Sequence, residues 1–355
     1  MSDPQNILII RFSSLGDIIL ASPLIRILRE KFPAAHIDFL TKSEYIDAVK
    51  FNPHLSSVIE LKTSDYRELK TLSMRLRYER YDLVLDIHNS LRSRYLRWKI
   101  RPKKSTIVNK RAIRRFFLVH TKWNFYRRIT PVAERYIETA RTFGVTDDKK
   151  GLEIFLPDQT VASTQSAMSR LSLGRYEQVI GIVPTARHFT KRWPSERFVE
   201  FGIQLSSRRH VKILIFGGKE DQEYCNDLAQ MINSRSGSAA AESFAGRFSL
   251  LETAAAFDFC HVVVSNDSGL MHLAAARKRN IVGIFGSTVQ EFGFFPYGTE
   301  SIVVENKKIH CRPCTHIGLP KCPKGHFRCM NDIPLQEVLL AVDRLAVSHQ
   351  QNKRA

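Results

Sequence analysis

The run His261–Thr288, HVVVSNDSGLMHLAAARKRNIVGIFGST, restricts the fold more than any other stretch of the chain. Val262, Val263 and Val264 form an apolar burst without polar alternation, as in a strand buried on both faces of a sheet. A polar turn follows, Ser265 to Gly269. Met271 through Ala276 is helix-forming sequence, closed by Arg277, Lys278 and Arg279, cations that suit the negative end of a helix dipole. A second apolar strand, Ile281–Phe285, completes a βαβ unit. In such a unit the turn lies at the carboxyl end of its strand, where open α/β sheets bind ligands. Asn266, Asp267 and Ser268 can each cap a helix, and Gly269 lets backbone approach a ligand closely. Exposed amides at the positive end of the dipole then make an anion site, most naturally for phosphate. The same residues equally satisfy an ordinary capped turn with His272 on a helix face, so this stretch alone leaves both readings open.

The rest of the chain repeats the alternation. Strands at Ile7–Arg11, His36–Leu40, Ser57–Leu61 and Tyr81–Ile87 are separated by helical sequence up to Lys31, around Glu44–Phe51 and over Tyr66–Glu79. A helix is expected near Glu134–Phe143, and LEIFLP (Leu152–Pro157) reads as a last strand. After a linker and one helix the pattern restarts at Val179–Pro184 and Lys212–Gly218. At 355 residues the chain is too long for one ordinary core. The prediction is an α/β protein of two Rossmann-like, doubly wound domains, residues 1–158 and 175–333, followed by a terminal helix within 334–355. Neither half carries G-x-G-x-x-G after its first strand, which argues against a dinucleotide-dependent dehydrogenase, and no G-x-x-x-x-G-K-[ST] is present.

Composition narrows the partners. No apolar run approaches the ~20 residues of a membrane span. The start, MSDPQNILIIRFSSLGD, reads as a first strand rather than a signal peptide, so a cytoplasmic location is expected. A formal charge of +19 calls for an acidic partner: nucleic acid, an anionic lipid surface or a phosphorylated substrate. Between Asp86 and Glu134 there is no acidic residue, while Arg92, Arg94, Arg97, Arg114 and Arg115 stand among many cations. Tyr95, Trp98, Phe116, Phe117, Trp123, Phe125 and Tyr126 are interleaved with them.

Three strand-end loops offer groups suited to a sugar nucleotide. In Ser13-Ser14-Leu15-Gly16-Asp17, Asp17 can act as a general base toward a hydroxyl, or simply cap a helix. The Thr185-Ala186 turn can bring backbone near phosphate, and Lys191 and Arg192 bring positive charge for a leaving diphosphate, or form a surface basic pair beside a buried Trp193. Asp221, after Gly217-Gly218, is placed to bind ribose hydroxyls, and Phe248 to cover an adenine face; each has an equally simple role as a capping acid or a core aromatic. Near the end, Cys311, Cys314, Cys322 and Cys329 cluster. In a cytosolic chain such a cluster reads as a metal site before disulfides, and its thiolates suit a structural zinc or iron.

RFSSLGD, KRWP and VSNDSGLMHLAAA…VGIFGST together resemble glycosyltransferase family 9, the ADP-heptose:lipopolysaccharide heptosyltransferases, over Ile7 to about Ile333. The resemblance implies a GT-B fold of two facing Rossmann-like domains. It implies inverting transfer of a heptose from ADP-heptose to a hydroxyl of the lipopolysaccharide inner core, with no cofactor for catalysis. Asp17 would then be the base and Lys191 would neutralise the diphosphate. Asp267 would lie at the heptose–phosphate end, with Ser268 and Gly269 amides on the phosphates. Asp221 and Phe248 would take ribose and adenine. Thr185, Ala186, Arg192, Ser287 and Thr288 would line the donor site, and His272 belongs to the same motif without an assigned role. Ser14, Gly16, Arg92, Arg94, Arg97, Arg114 and Arg115 would meet a lipid-anchored acidic acceptor. The basic segment would also dock on the anionic cytoplasmic face of the inner membrane, with Tyr95, Trp98 and Trp123 at the interface. The cysteine tail would clip the C-terminal region. The competing readings are another sugar-nucleotide glycosyltransferase, including one that modifies protein, a basic nucleic-acid-binding module, and a sugar-nucleotide epimerase.

Overall fold

The computed structural model of the chain describes residues 3–208 and 210–354. The chain divides into two compact units: one comprises the chain up to Arg111 together with Thr130–Phe155, the other Ala112–Ile129 and everything from Leu156 onward.

The first unit is built on five parallel strands, β1 (Asn6–Ile10), β2 (His36–Lys42), β3 (Ser57–Leu61), β4 (Leu83–Asp86) and β5 (Lys104–Ile107), in the order β3-β2-β1-β4-β5. Ile7, Leu8, Ile9 and Ile10 have no solvent exposure, as expected of a central strand covered on both faces. The strand order reverses between β1 and β4, so the loops after these two strands flank the crevice where such sheets bind ligands. β5 escapes sequence reading because KSTI is a polar edge strand whose apolar residue, Ile107, stays exposed. The strand expected at Leu152–Pro157 does not form. That segment is fastened by side chains of the helix Ser22–Lys31 instead of a ladder. Arg26 pairs with Asp148 and Glu153 and donates to the Gly151 carbonyl, and the Glu153 amide donates to the Ser22 hydroxyl. The helix expected around Glu44–Phe51 is a 3₁₀ turn, Ser43–Ala48.

The second unit has six parallel strands, β6 (Gln178–Val183), β7 (Val211–Ile215), β8 (Ala241–Ser243), β9 (Val262–Asn266), β10 (Asn280–Phe285) and β11 (Ser301–Glu305), in the order β11-β10-β9-β6-β7-β8. This is the doubly wound pattern, with its switch point between β6 and β9. Two further edge strands, β8 and β11, went unanticipated: β8 is three residues long and β11 is only partly covered. The terminal helix, Leu335–Arg354, buries Val338, Leu339, Val342 and Leu345 in one core with Val282, Ile284 and Val304. Its apolar face therefore serves the second unit's own sheet. The acid-free segment is divided as well: the helix Leu91–Ile100 belongs to the first unit and the helix Ala112–His120 to the second.

Candidate active site

In the second unit the loops after β6, β9 and β10 converge through their side chains. β9 ends on Asn266, whose Nδ2 donates to the Pro184 carbonyl at 2.7 Å while its Oδ1 accepts from the Trp193 amide at 3.1 Å. Asn266 thus ties the ends of the two switch-point strands together. Trp193 is buried against Phe198 and Phe201, so in this structure it is a core residue. The next residue, Asp267, is 6 % exposed. Its Oδ2 lies 2.7 Å from Lys191 Nζ and accepts from Thr288 Oγ1 at 2.7 Å. Ser268 caps the helix Gly269–Ala276 by accepting from the Met271 amide. The free amides at that helix start therefore stand beside an ammonium group already held in place, a local field suited to an anion. His272 is buried within this helix.

Asp221 bonds two loops rather than projecting freely. It accepts from Thr185 Oγ1 at 2.9 Å and from the Gly218 amide at 3.2 Å, with Arg192 4.0 Å away. Gly217 lies close beneath it: a Cβ there would come to 3.0 Å from both Asp221 Cβ and Cys225 Sγ, so these neighbours would have to shift slightly. Arg192 Nε donates to the Ala186 carbonyl at 2.6 Å. Phe248 is half-buried, stacked on Phe244 at 4.8 Å. Thr185, Ala186, Arg192 and Asp221 thus form one connected group, and Lys191, Asp267 and Thr288, with Ser287 beside Thr288, another.

Sequence reasoning missed the support of the second group. Thr190 Oγ1 accepts from Ser287 Oγ at 3.1 Å and from the Leu319 amide at 2.8 Å, and the Thr190 amide donates back to the Leu319 carbonyl. Phe189 stacks on Phe327, and Arg312 donates to the Thr288 carbonyl at 2.7 Å while pairing with Glu305. Gly318 has φ +107 and packs on His188, where a Cβ would meet the His188 side chain at 2.5 Å. The cysteine-bearing tail is therefore a brace beneath the Lys191 and Thr288 loops.

That brace holds by packing and hydrogen bonds. The expected zinc or iron set at Cys311, Cys314, Cys322 and Cys329 is not found: among the described residues no group of three or more His, Cys, Asp or Glu side chains is arranged to hold a metal ion. All four are free thiols. Cys314 donates to the Cys311 carbonyl, and Cys311 Sγ lies 3.8 Å from His326 Nε2. Burial, followed by neighbouring sulfur, pushes Cys314 up to about 11 and Cys329 up to about 12.

In the first unit Asp17 is the third residue of the short helix Leu15–Ile19. Its Oδ2 accepts from the Ser14 amide at 3.2 Å and from Ser14 Oγ at 2.9 Å. Its Oδ1 accepts from Tyr136 Oη at 2.9 Å and pairs with Arg11 at 2.7 Å. Burial raises the carboxyl pKa, but the Arg11 charge and the Ser14 and Tyr136 hydrogen bonds overcome it, so Asp17 titrates below the usual carboxylate range. The capping geometry allowed from sequence is present, and the carboxylate is ionised as well. Arg11 and Tyr136 were not singled out, although a buried arginine at the end of an all-apolar strand was a readable signal. Gly16 is buried in the same helix, while Ser14 is exposed.

The remaining basic residues separate. Arg92, Arg94 and Arg97 lie on the helix Leu91–Ile100, with Arg94 donating to Asn89. Arg114 and Arg115 lie on Ala112–His120 in the other unit, and burial lowers the Arg115 pKa. Around them Ile113, Phe116, Trp123 and Phe125 are exposed, and ring contacts run from His120 through Phe116, Phe117 and Phe125 to Trp123. Tyr95 is packed between Tyr66 and an exposed Trp98.

Known proteins share the family and the fold. Residues 69–322 match glycosyltransferase family 9 (heptosyltransferase). The chain is 27% identical to lipopolysaccharide heptosyltransferase 2 of Salmonella typhimurium over 81% of its own length and 84% of that relative's. Among solved structures, a family 9 glycosyl transferase from Veillonella parvula superposes with a TM-score of 0.78 at 24% identity, covering 97% of each chain. The E. coli ADP-heptose lps heptosyltransferase II does so at 0.72 and 24%, covering 97% of this chain and 99% of that one. With two parallel-sheet α/β units that match this GT-B architecture and a family match across most of its length, the chain belongs to glycosyltransferase family 9 and is a heptosyltransferase.

Proposed function

We propose that this heptosyltransferase moves a heptose from ADP-heptose to a hydroxyl of the lipopolysaccharide inner core, with inversion at the anomeric carbon. The observation that carries the reading is the Lys191–Asp267 pair beside the capped start of the helix Gly269–Ala276. A diphosphate held on those amides would draw the Lys191 ammonium toward the oxygen that gains charge as the sugar–phosphate bond breaks. The acceptor hydroxyl attacks the anomeric carbon, ADP departs, and the hydroxyl proton passes to Asp17. All four hydrogen-bonding directions of that carboxylate are engaged, so the acceptor must displace one partner. The exposed Ser14 hydroxyl is the one free to rotate away. The adenosine would meet Asp221 and Phe248. No residue here calls for a catalytic metal, since helix dipole and lysine supply the positive charge.

Incubation with radiolabelled ADP-heptose and a panel of truncated core acceptors tests this. One acceptor should gain a single heptose with inverted anomeric configuration. Failure of every lipopolysaccharide acceptor, with transfer to a protein or epimerisation of the donor instead, overturns it.

We further propose that the enzyme works in the cytoplasm, peripheral to the inner membrane. Among the described residues no helix is long and apolar enough to cross a membrane. The exposed Ile113, Phe116, Trp123 and Phe125 beside Arg114, Arg127 and Arg128 suit shallow insertion among anionic headgroups. Sedimentation with vesicles containing phosphatidylglycerol should exceed that with neutral vesicles by about tenfold or more, given ~1 kcal/mol per well-placed cation. The excess should vanish in a Phe116→Ser/Trp123→Ser variant. Equal sedimentation with both vesicle types would rule the surface out.

A further inference from the structure

At the carboxyl edge of the first unit's sheet lies a cavity of about 390 Å³ that the chemistry described so far does not use. The loop after β1 contributes Phe12 and Ser13, the end of β2 contributes Lys42, and the segment after β4 contributes His88, Ser90 and Arg92. These are the adjacent strands at the switch point, where the topology leaves a crevice.

Its lining is largely apolar, with Phe12 and Leu91 among it, but carries two cations, Lys42 and Arg92, and the Ser13 and Ser90 hydroxyls. Lys42 is opposed only loosely by Glu44, 3.5 Å away and largely exposed, so solvent screens that pair. Arg92 is exposed on the first turn of the ten-residue helix Leu91–Ile100, whose cap is Ser90. His88 stacks on Phe12 at 4.7 Å, and its Nδ1 is buried without a hydrogen-bond partner. Burial, together with Arg11 and Lys110, holds this imidazole near 3, so it is neutral and adds no charge of its own to the pocket. A neutral sugar has no use for two cations and a helix start, whereas an oxyanion uses all of them. The volume also exceeds one phosphate and leaves room for part of a sugar ring.

The cavity is coupled to the proposed base. Ser13 is chain neighbour to Ser14, which holds Asp17, and Arg11 joins Asp17 to the carbonyl of Ile87, the residue before His88. We propose that this cavity is a phosphate subsite, in which Lys42, Arg92 and the Ser90 helix start hold a phosphomonoester on the acceptor sugar so that a nearby hydroxyl reaches Asp17. The proposal rests on the transfer reaction above for its biological ligand, but the site is testable without it.

Inorganic phosphate is titrated into protein labelled with ¹⁵N-histidine, with the His88 ring signal assigned from a His88→Gln variant. A saturable shift is expected, weakened by about tenfold or more in Lys42→Gln and Arg92→Gln, as loss of a charged hydrogen bond implies. Acetate in place of phosphate distinguishes a carboxylate site and should produce no comparable shift. With active enzyme, phosphatase treatment of the acceptor should raise KM by about tenfold with kcat changed far less, and both variants should lose that discrimination. Absence of the phosphate shift, a stronger response to acetate, or discrimination surviving in both variants overturns the subsite. A phosphate shift without transfer from ADP-heptose to any acceptor would leave the subsite standing and remove the reaction proposed for it.

Discussion

Asp17→Asn is expected to cut heptosyl transfer by about a hundred- to ten-thousandfold, the range for loss of a positioned general base. Donor affinity should stay within a few-fold, because Asp17 belongs to the first unit and the proposed donor groups to the second. The substitution keeps the shape of the side chain, but its single oxygen can accept from only one side, from Tyr136 or from Ser14, while the new amide NH2 faces donors on the other. What it removes is the charge opposite Arg11, itself buried. Leaving a buried guanidinium unpaired typically costs about 3–5 kcal/mol, so thermal unfolding must be recorded beside activity. The pH dependence separates the two effects. Because the folded Asp17 pKa lies below its ordinary value of 3.8, the Arg11 pair contributes stability at every pH above that value. The contribution disappears as pH falls through the lower folded pKa, so the melting difference between wild type and Asp17→Asn should shrink in strong acid. The transfer defect should persist at neutral pH and at temperatures where both proteins are fully folded. Normal transfer by Asp17→Asn would show that the carboxylate is only a cap.

Lys191→Ala is expected to slow turnover by about ten- to a thousandfold through lost stabilisation of the departing diphosphate. The same change strands Asp267, which is buried and loses the ammonium opposite the oxygen that accepts from Thr288. An unpaired carboxylate there would also repel the donor. The pair Lys191→Ala/Asp267→Asn separates these contributions. If Lys191 acts on the leaving group, the double variant regains most of the melting temperature but stays slow in single-turnover experiments with saturating donor. Recovery of turnover along with stability would mean that Lys191 serves only to neutralise Asp267. The brace through Thr190 and Leu319 predicts no comparable rescue, because it positions the loop backbone without touching the charge.

The chain's own pattern determined the repeated strand–helix alternation and the two parallel sheets. Each central strand is buried on both faces and so reads as an unbroken apolar run, and each site loop follows such a run directly. Val262–Val264 announced Asp267, and Ile7–Ile10 announced Asp17. Edge strands such as KSTI carry no such mark, because solvent on one side removes the need for apolar residues. Long-range relations were equally silent. Tyr136 reaches Asp17 across 119 residues. Leu319 braces Thr190 across 129. His88 and Lys42 meet in one cavity only because β2, β1 and β4 lie side by side. The cysteine cluster shows the limit as well: its spacing suggested a metal, and among the described residues no group of three or more ligands is arranged to hold one. Local sequence set which residues sit at strand tips; only tertiary structure decided their partners, since hydrogen bonds and ion pairs form between atoms brought together by the fold rather than by spacing along the chain.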